Sequence, residues 1–200
     1  MIIFDVDGVL VDSQDAHWRF MEDQAKKYGL KLKHDNAQDA VVPVGPMSGF
    51  ILAAGFPPEY VPVVLKAYID EFATNYPCFP FHGVAEMLLD LKESNIIGIA
   101  SSNNRNNVTK SLGDELFELF DFVATQGDYK SKGAAILKAE EIFGEDIIMI
   151  GDMESDYEAA VFAGAQFVGC RYGWAISENE KRFRTVGTVQ ELHEFLRCGL

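Results

Sequence analysis

Two aspartates, Asp5 and Asp7, lie two residues apart directly after the apolar run formed by residues 1–4. This run predicts a short buried strand, and alternation along the extended chain points both carboxylates to the same side. Gly8 follows the pair and allows the backbone to turn. Two carboxylates at the carboxyl end of a strand could bind a hard divalent cation while one of them attacks a substrate or transfers a proton.

Three further polar clusters follow this pair along the chain, two of them directly after apolar runs. Their candidate side chains are Ser101, Ser102, Lys132, Asp152 and Asp156. Open parallel sheets bind ligands at the carboxyl ends of their strands, so we expect these side chains to meet at one edge of a sheet.

One kind of chemistry would use all of these groups. A carboxylate attacks a phosphoryl group and forms an aspartyl-phosphate. Magnesium neutralises the incoming dianion, while a lysine and a hydroxyl hold the phosphoryl oxygens. A second carboxylic acid protonates the leaving alkoxide and then deprotonates the hydrolytic water.

Apolar runs alternate with helical patterns through most of the chain, as expected for an α/β fold with a parallel sheet. The predicted strands cover residues 1–4, 96–100, 120–124, 147–150 and 165–170. The predicted helices between and after them cover residues 83–94, 132–143, 157–163 and 188–196.

One stretch, from about Ser13 to Pro80, shows no good strand pattern. Residues 16–27 and 61–75 have helical spacing, and the segment between them is rich in proline and glycine. We therefore predict a helical insertion into the α/β fold.

Four ordered motifs resemble those of the haloacid dehalogenase (HAD) superfamily: Asp-x-Asp-Gly-Val-Leu-Val-Asp-Ser, a serine after a strand, Lys-Gly opening a helix, and Gly-Asp-x-x-x-Asp. The resemblance covers almost the whole chain and points to the branch of phosphoglycolate phosphatase and β-phosphoglucomutase. It implies a Rossmann-like α/β core of residues 1–13 and 81–200. The inserted helices, residues 14–80, resemble the α-helical C1-type cap of that superfamily.

The resemblance also implies roles for four aspartates. Asp5 would be the nucleophile and first metal ligand. Asp7 would be the general acid/base, with its backbone carbonyl as a further ligand. Asp152 would be the second metal carboxylate, and Asp156 a more distant or water-mediated ligand of Mg²⁺.

The phosphate-binding residues implied by the resemblance are a serine and a lysine. Ser101 matches the family's hydroxyl, with Ser102 as its close competitor. Lys132 matches the family's lysine, with Lys130 as a weaker candidate.

Three more residues have more than one interpretation. Ser13 and His17 lie where the family's cap hinges onto the core, so His17 could contact substrate, relay the cap position to Asp7 or order the hinge. Arg105, just past the serine motif, could meet an anionic substrate or lie on the surface.

We expect a magnesium-dependent phosphatase acting on a small phosphorylated metabolite. A phosphohexomutase similar to β-phosphoglucomutase is the main alternative, but the matching loop, residues 45–49, has no arginine, and residues 68–80 have no lysine. A haloacid dehalogenase needs no second carboxylate, so Asp7 argues against it. A non-catalytic phosphoryl-sensing module similar to receiver domains would carry its phosphorylated aspartate on a middle strand of the chain, whereas Asp5 follows the first strand and a helical insertion comes next.

Composition limits the partners further. The 200-residue chain has a net charge of −14 and no long basic run, so nucleic acid is not expected as a partner. No apolar run approaches the length of a membrane span, and the acidic start does not resemble a signal peptide. Three widely spaced cysteines fit the reducing cytoplasm. The oligomeric state stays open, with a monomer favoured.

Overall fold

A computed structural model describes residues 1–40 and 47–198 of the chain. Its main feature is a six-stranded sheet in the order β5-β4-β1-β6-β7-β8, in which every neighbouring pair is parallel. These strands are β1 (Ile2–Phe4), β4 (Ile97–Ala100), β5 (Phe122–Ala124), β6 (Ile148–Gly151), β7 (Gln166–Cys170) and β8 (Arg184–Val186). The five strands predicted from apolar runs are all present, and β8 is an addition.

Strand β1 lies in the middle of the sheet. Ile2 pairs with Ile97 of β4 on one side and with Ile148 of β6 on the other. All three residues of β1 are fully buried, because a parallel sheet in this fold class carries helices on both faces. The carboxyl ends of β4, β1 and β6 are therefore neighbours, and the polar residues that follow them share one edge.

The helices that flank the sheet include every one predicted for this part of the chain. They are α5 (Val84–Lys92), α6 (Arg105–Leu112), α7 (Asp114–Phe117), α8 (Lys132–Phe143), α9 (Glu154–Ala163) and α10 (Val189–Cys198). The pattern did not reveal α6, because its sequence is mostly polar. The side chain of Asn104 caps it by accepting a hydrogen bond from Asn107 N at 2.9 Å.

The stretch predicted as a helical insertion is helical. It contains α1 (Gln14–Tyr28), α2 (Ala37–Ala40), α3 (Met47–Ala54), a 3₁₀ turn (Pro58–Tyr60) and α4 (Val61–Asn75), which we call the inserted helices. The apolar helix α3 was not predicted, because it lies within the segment rich in proline and glycine. Residues 45 and 46, part of the loop compared with the mutase loop, lie outside the described residues.

The chain leaves and re-enters the α/β unit at one point. Strand β2 (Val11–Asp12) pairs antiparallel with β3 (Phe79–Pro80), with Asp12 opposite Phe79. The turn that contains Asp7 immediately precedes β2, and Asp7 forms an isolated bridge with Val11. The first connection to the inserted helices thus starts four residues after Asp7.

No helix in the described part of the chain combines the length and apolar character needed to cross a bilayer.

Candidate active site

The polar residues predicted to converge do so at the carboxyl edge of the sheet. Asp5 directly follows β1, Ser101 follows β4, and Asp152 follows β6. The backbone N–H of Asp5 donates to Ile150 O at 2.9 Å, which extends the β1–β6 pairing to the first carboxylate. Lys132, the first residue of α8, reaches the same edge.

Lys132 binds two carboxylates at once. Its Nζ lies 2.7 Å from Asp5 Oδ2 and 2.6 Å from Asp156 Oδ1. Burial alone would lower the pKa of Lys132, but the negative charges of Asp156 and Asp5 outweigh that effect and raise it. The lysine is therefore charged at neutral pH and is a fixed positive group beside Asp5.

Asp5, Asp152 and Asp156 form a buried carboxylate cluster. One oxygen from each lies within 4.8 Å of the others. Burial raises the pKa of Asp5 to about 7, against the opposing attraction of Lys132. Burial also raises the pKa of Asp152 well above its ordinary range, and the charges of Asp156 and Asp5 add to this effect.

This cluster fits a hard divalent cation. Asp152 is fully buried; its Oδ2 accepts a hydrogen bond from Trp174 N at 2.6 Å, whereas its Oδ1 has no hydrogen-bond partner among the described residues. A buried carboxylate oxygen without a donor is costly unless a cation binds it. Three carboxylates face one lysine, so a divalent ion would also balance the local charge.

Asp156 also accepts hydrogen bonds from the backbone of this edge. Its Oδ2 accepts hydrogen bonds from the backbone N–H groups of Asp152 and Met153, at 3.2 and 3.1 Å. A carboxylate is favoured there because the N-terminus of a helix carries unpaired donors and a positive partial charge. Asp156 therefore fixes the turn that presents Asp152 and at the same time holds Lys132.

The cluster predicts a pH-dependent stability in protein freed of divalent cations. Asp5 has an ordinary pKa of 3.8 and a pKa of about 7 in the folded protein. Between these values the folded state binds more protons than the unfolded state, so the contribution of Asp5 to the free energy of unfolding falls as the pH rises. Urea titrations of wild type and Asp5→Asn across this range should show a steeper decline for wild type. Parallel curves for the two proteins would contradict this expectation.

Removing Lys132 should destabilise the same cation-free protein. Lys132→Met leaves buried carboxylates unpaired, so we expect the free energy of unfolding at neutral pH to fall by about 3–5 kcal/mol. Lys138→Met, at a partly exposed position on the same helix, is the matched control and should cost no more than about 0.5 kcal/mol. Equal losses for the two variants in urea denaturation would show that Lys132 is not buried against these carboxylates.

The Asp7 carboxylate is not part of this cluster. Asn103 Nδ2 donates a hydrogen bond to Asp7 Oδ2 at 2.9 Å, and Asp7 is partly exposed. The two aspartates of the first motif are thus in different surroundings. Asp5 is buried beside Lys132, and Asp7 is held by a neutral amide.

Gly8 allows the turn after Asp7 to lie close against Asp152 and Trp174. Its φ of +79° is in the left-handed region that glycine favours. A Cβ on Gly8 would lie 2.1 Å from Asp152 Oδ2 and 2.6 Å from Trp174 Cδ1. Any other residue would push the first motif away from Asp152.

Ser101 and Ser102 differ in burial. Ser101 is buried, and its Oγ accepts a hydrogen bond from Asn103 N at 3.1 Å. Ser102 is exposed. Both serines, together with Lys130 and Lys132, line a cleft of about 540 Å³ at this edge. The geometry thus favours Ser101 over Ser102 at the buried cluster, and Lys132 over the exposed Lys130.

The sequence matches a known protein family. The family model described as "haloacid dehalogenase-like hydrolase" matches residues 2–170. This chain belongs to that family. The match includes every carboxylate of the site and all of the inserted helices.

Two named relatives also match most of the chain. The chain is 27% identical over 187 residues to a phosphoglycolate phosphatase of Aquifex aeolicus, with 87% of this chain and 85% of the relative covered. It is 30% identical over 179 residues to a phosphoglycolate phosphatase of Synechococcus elongatus, with 86% of this chain and 84% of the relative covered.

Solved structures share the HAD fold. A haloacid dehalogenase-like family hydrolase from Streptococcus pneumoniae superposes with a TM-score of 0.80 at 18% identity, covering 97% of each chain. A HAD-superfamily hydrolase of subfamily IA from Geobacter sulfurreducens gives 0.72 at 22% identity, covering 98% of this chain and 95% of its own. The predicted α/β fold and HAD membership are confirmed, and the homologues support a phosphatase of a small phosphorylated substrate.

His17 occupies the junction between the inserted helices and the HAD motifs. It is buried, with Nδ1 2.8 Å from Ser13 O and Nε2 3.0 Å from the Tyr68 hydroxyl. Burial lowers its pKa, although the negative charge of Asp7 opposes this. Both ring nitrogens are engaged within the protein, which favours the hinge interpretation of Ser13 and His17 over direct substrate contact.

Arg105 lies on the surface. It is exposed and donates to Val123 O at 3.2 Å and to Asp128 Oδ2 at 3.4 Å. These contacts hold it against the loop after β5, which favours the surface interpretation over contact with an anionic substrate.

Sequence reasoning did not assign roles to three residues that the structure places at the site. Asn103 directly follows the candidate serines, and it donates to Asp7. Trp174 donates its backbone N–H to Asp152, and its ring lies 5.2 Å from that of His17. Tyr68 joins His17 to Asn103. Of these three residues, only Asn103 could have been assigned to the site from the sequence, because it follows a predicted strand at the active edge.

Proposed function

We propose that this HAD protein is a magnesium-dependent phosphatase that hydrolyses a small phosphorylated metabolite through an aspartyl-phosphate on Asp5. The observation that carries the proposal is the buried pairing of Asp5 with Lys132, beside a separately held Asp7. A nucleophilic carboxylate, a fixed cation and a second carboxylate are the groups that phosphoester hydrolysis needs.

The chain's own residues divide the reaction. Asp5 attacks phosphorus, and the bond to the leaving oxygen breaks as Asp7 gives that oxygen a proton. Asp7 then takes a proton from water, and the water oxygen attacks phosphorus. The bond between phosphorus and the Asp5 oxygen breaks, which releases inorganic phosphate and regenerates the Asp5 carboxylate. Lys132 and Ser101 hold phosphoryl oxygens throughout.

Asp5 and Asp152, with the backbone carbonyl of Asp7, are the proposed direct ligands of Mg²⁺. Asp156, whose two oxygens already accept hydrogen bonds, is the proposed water-mediated ligand. Their hard oxygen donors and the unpartnered Asp152 Oδ1 suit this ion. When bound, magnesium supplies positive charge that lets a phosphoryl dianion approach a cluster of carboxylates.

We further propose that residues 14–80 act as a cap over this edge. The proposal is supported by the β2–β3 pair, which begins four residues after Asp7 and joins both connections of the inserted helices, and by Tyr68, whose hydroxyl contacts His17 and donates to Asn103. A cap excludes water and selects the leaving group.

The charge of the inserted helices supports a monophosphate substrate over a sugar bisphosphate intermediate. The arginine and the lysines that the structure describes within residues 14–80 are all exposed: Arg19, Lys26, Lys27, Lys31, Lys33 and Lys66. Residues 41–46 add no lysine or arginine to this set. A mutase would need a buried lysine or arginine in this region to hold a second phosphate, so hydrolysis is favoured.

A phosphate-release assay with and without Mg²⁺ tests the proposal. The panel contains phosphoglycolate, a sugar monophosphate, a nucleoside monophosphate and 4-nitrophenyl phosphate. We expect release from at least one alkyl phosphate, loss of activity in EDTA and recovery on adding Mg²⁺. Isomerisation of a sugar phosphate without phosphate release, or metal-independent halide release from a haloacid, would overturn it. The cytoplasmic location and the monomeric state stay predictions.

A further inference from the structure

Asn103 presents a fixed hydrogen-bond donor to Asp7. Its side-chain Oδ1 accepts three hydrogen bonds, from the Tyr68 hydroxyl at 3.0 Å, Asn107 Nδ2 at 3.0 Å and Asn104 N at 2.9 Å. A carbonyl oxygen can satisfy these donors and an amide nitrogen cannot, so they decide which end of the amide faces Asp7. The Nδ2 group then donates to Asp7 Oδ2 at 2.9 Å.

One of the three donors comes from the inserted helices. Tyr68 lies on α4, is 3% exposed, and is separated from Asn103 by 35 positions in the chain. Its ring packs against Phe72 and Phe20, with centroid distances of 4.6 and 5.6 Å. The phenol is therefore held in place by packing that Asn103 does not provide.

The hydroxyl of Tyr68 also joins Asn103 to the first inserted helix. His17 Nε2 lies 3.0 Å from it, and His17 Nδ1 contacts Ser13 O at 2.8 Å. Close polar contacts thus run from Ser13, directly before α1, through His17, Tyr68 and Asn103 to Asp7.

We propose that Tyr68 and Asn103 are positioning residues for proton transfer by Asp7: the phenol of the inserted helices orients the Asn103 amide, which orients the Asp7 carboxylate. This inference rests on the proposed phosphatase function. Asn103 occupies Asp7 Oδ2 and leaves the other oxygen to exchange a proton with the leaving group or with water. Proton delivery would then depend on where α4 lies.

The reaction offers a readout that a purely structural role would not change. An alkoxide is a poor leaving group and needs the proton from Asp7, whereas 4-nitrophenolate leaves readily without it. The ratio kcat/KM reports the steps up to the loss of the leaving group, so weaker proton delivery lowers it mainly for alkyl phosphates.

Tyr68→Phe is the first variant, because it removes one oxygen and keeps the aromatic ring. General acid catalysis contributes about 10²–10⁴-fold, and part of this should be lost, so we expect a fall of about 5–20-fold in kcat/KM for an alkyl phosphate. The value for 4-nitrophenyl phosphate should change by less than about twofold, because that ester needs little acid assistance. Asn103→Ala should show the same selectivity with a larger loss.

Tyr76→Phe is the matched control. Tyr76 directly follows α4, and the substitution removes a hydroxyl that donates to Asp23 of α1 at 2.7 Å and not to Asn103 or Asp7. It should leave both kcat/KM values unchanged. Equal losses of Tyr68→Phe on the two substrates, or no loss on either, would overturn the inference while wild-type turnover upheld the phosphatase. Absence of wild-type turnover on every phosphate ester would instead overturn the function itself.

Discussion

Asp5→Asn is expected to lower the turnover of a phosphomonoester by at least about a thousandfold, because the amide that replaces the carboxylate is a very poor nucleophile. The substitution keeps the size of the side chain and removes one negative charge from a buried cluster. The variant should therefore fold at least as stably as wild type at neutral pH without a divalent cation. Loss of activity would then reflect lost chemistry.

Two measurements make this test specific. Steady-state phosphate release gives the loss, and mass spectrometry of acid-quenched protein asks whether a phosphoryl group is found on wild type and absent from Asp5→Asn. Asp146→Asn, an exposed aspartate before the amino end of β6, is the control for a loss of charge. Near-normal turnover by Asp5→Asn would remove Asp5 as the nucleophile.

The sheet could be predicted because its strands are short apolar runs that end in polar residues. Residue types at those ends also led to Asp5, Ser101 and Asp152, and the Lys-Gly pair that opens a helix led to Lys132. The edge strand β8, with its sequence Arg184-Thr185-Val186, could not be recognised, because only Val186 is buried and no alternation develops over three residues. Periodicity needs more residues than an edge strand of this length supplies.

The link from the inserted helices to Asp7 was beyond sequence reasoning for a different reason. Asn103 and Asp7 are 96 positions apart, and Tyr68 and Asn103 are 35 apart. Local patterns report which face of a helix is buried, and Tyr68 fits an apolar face as well as any core aromatic residue. A role for its hydroxyl can be assigned only when the fold shows that α4 lies against the loop after β4.

Asp7→Asn should separate proton transfer from nucleophilic attack. An amide cannot donate an acidic proton to the leaving oxygen, so we expect kcat/KM for an alkyl phosphate to fall by about 10²–10⁴-fold. The loss for 4-nitrophenyl phosphate should be smaller, because its leaving group needs little protonation. Stability should change little, because Asp7 is partly exposed and lies outside the buried cluster.

The second half of the reaction gives Asp7→Asn a signature of its own. Hydrolysis of the aspartyl-phosphate needs a base to deprotonate water, so the variant should accumulate phosphoryl-enzyme with 4-nitrophenyl phosphate, seen as a burst of nitrophenol and a phosphoryl adduct in the mass spectrum. Asp5→Asn should give neither. A variant that turned over both esters like wild type would show that the second carboxylate is dispensable, as it is in a dehalogenase. Because Asp5 forms the bond to phosphorus and Asp7 transfers the protons, the two substitutions should stop the reaction at different steps.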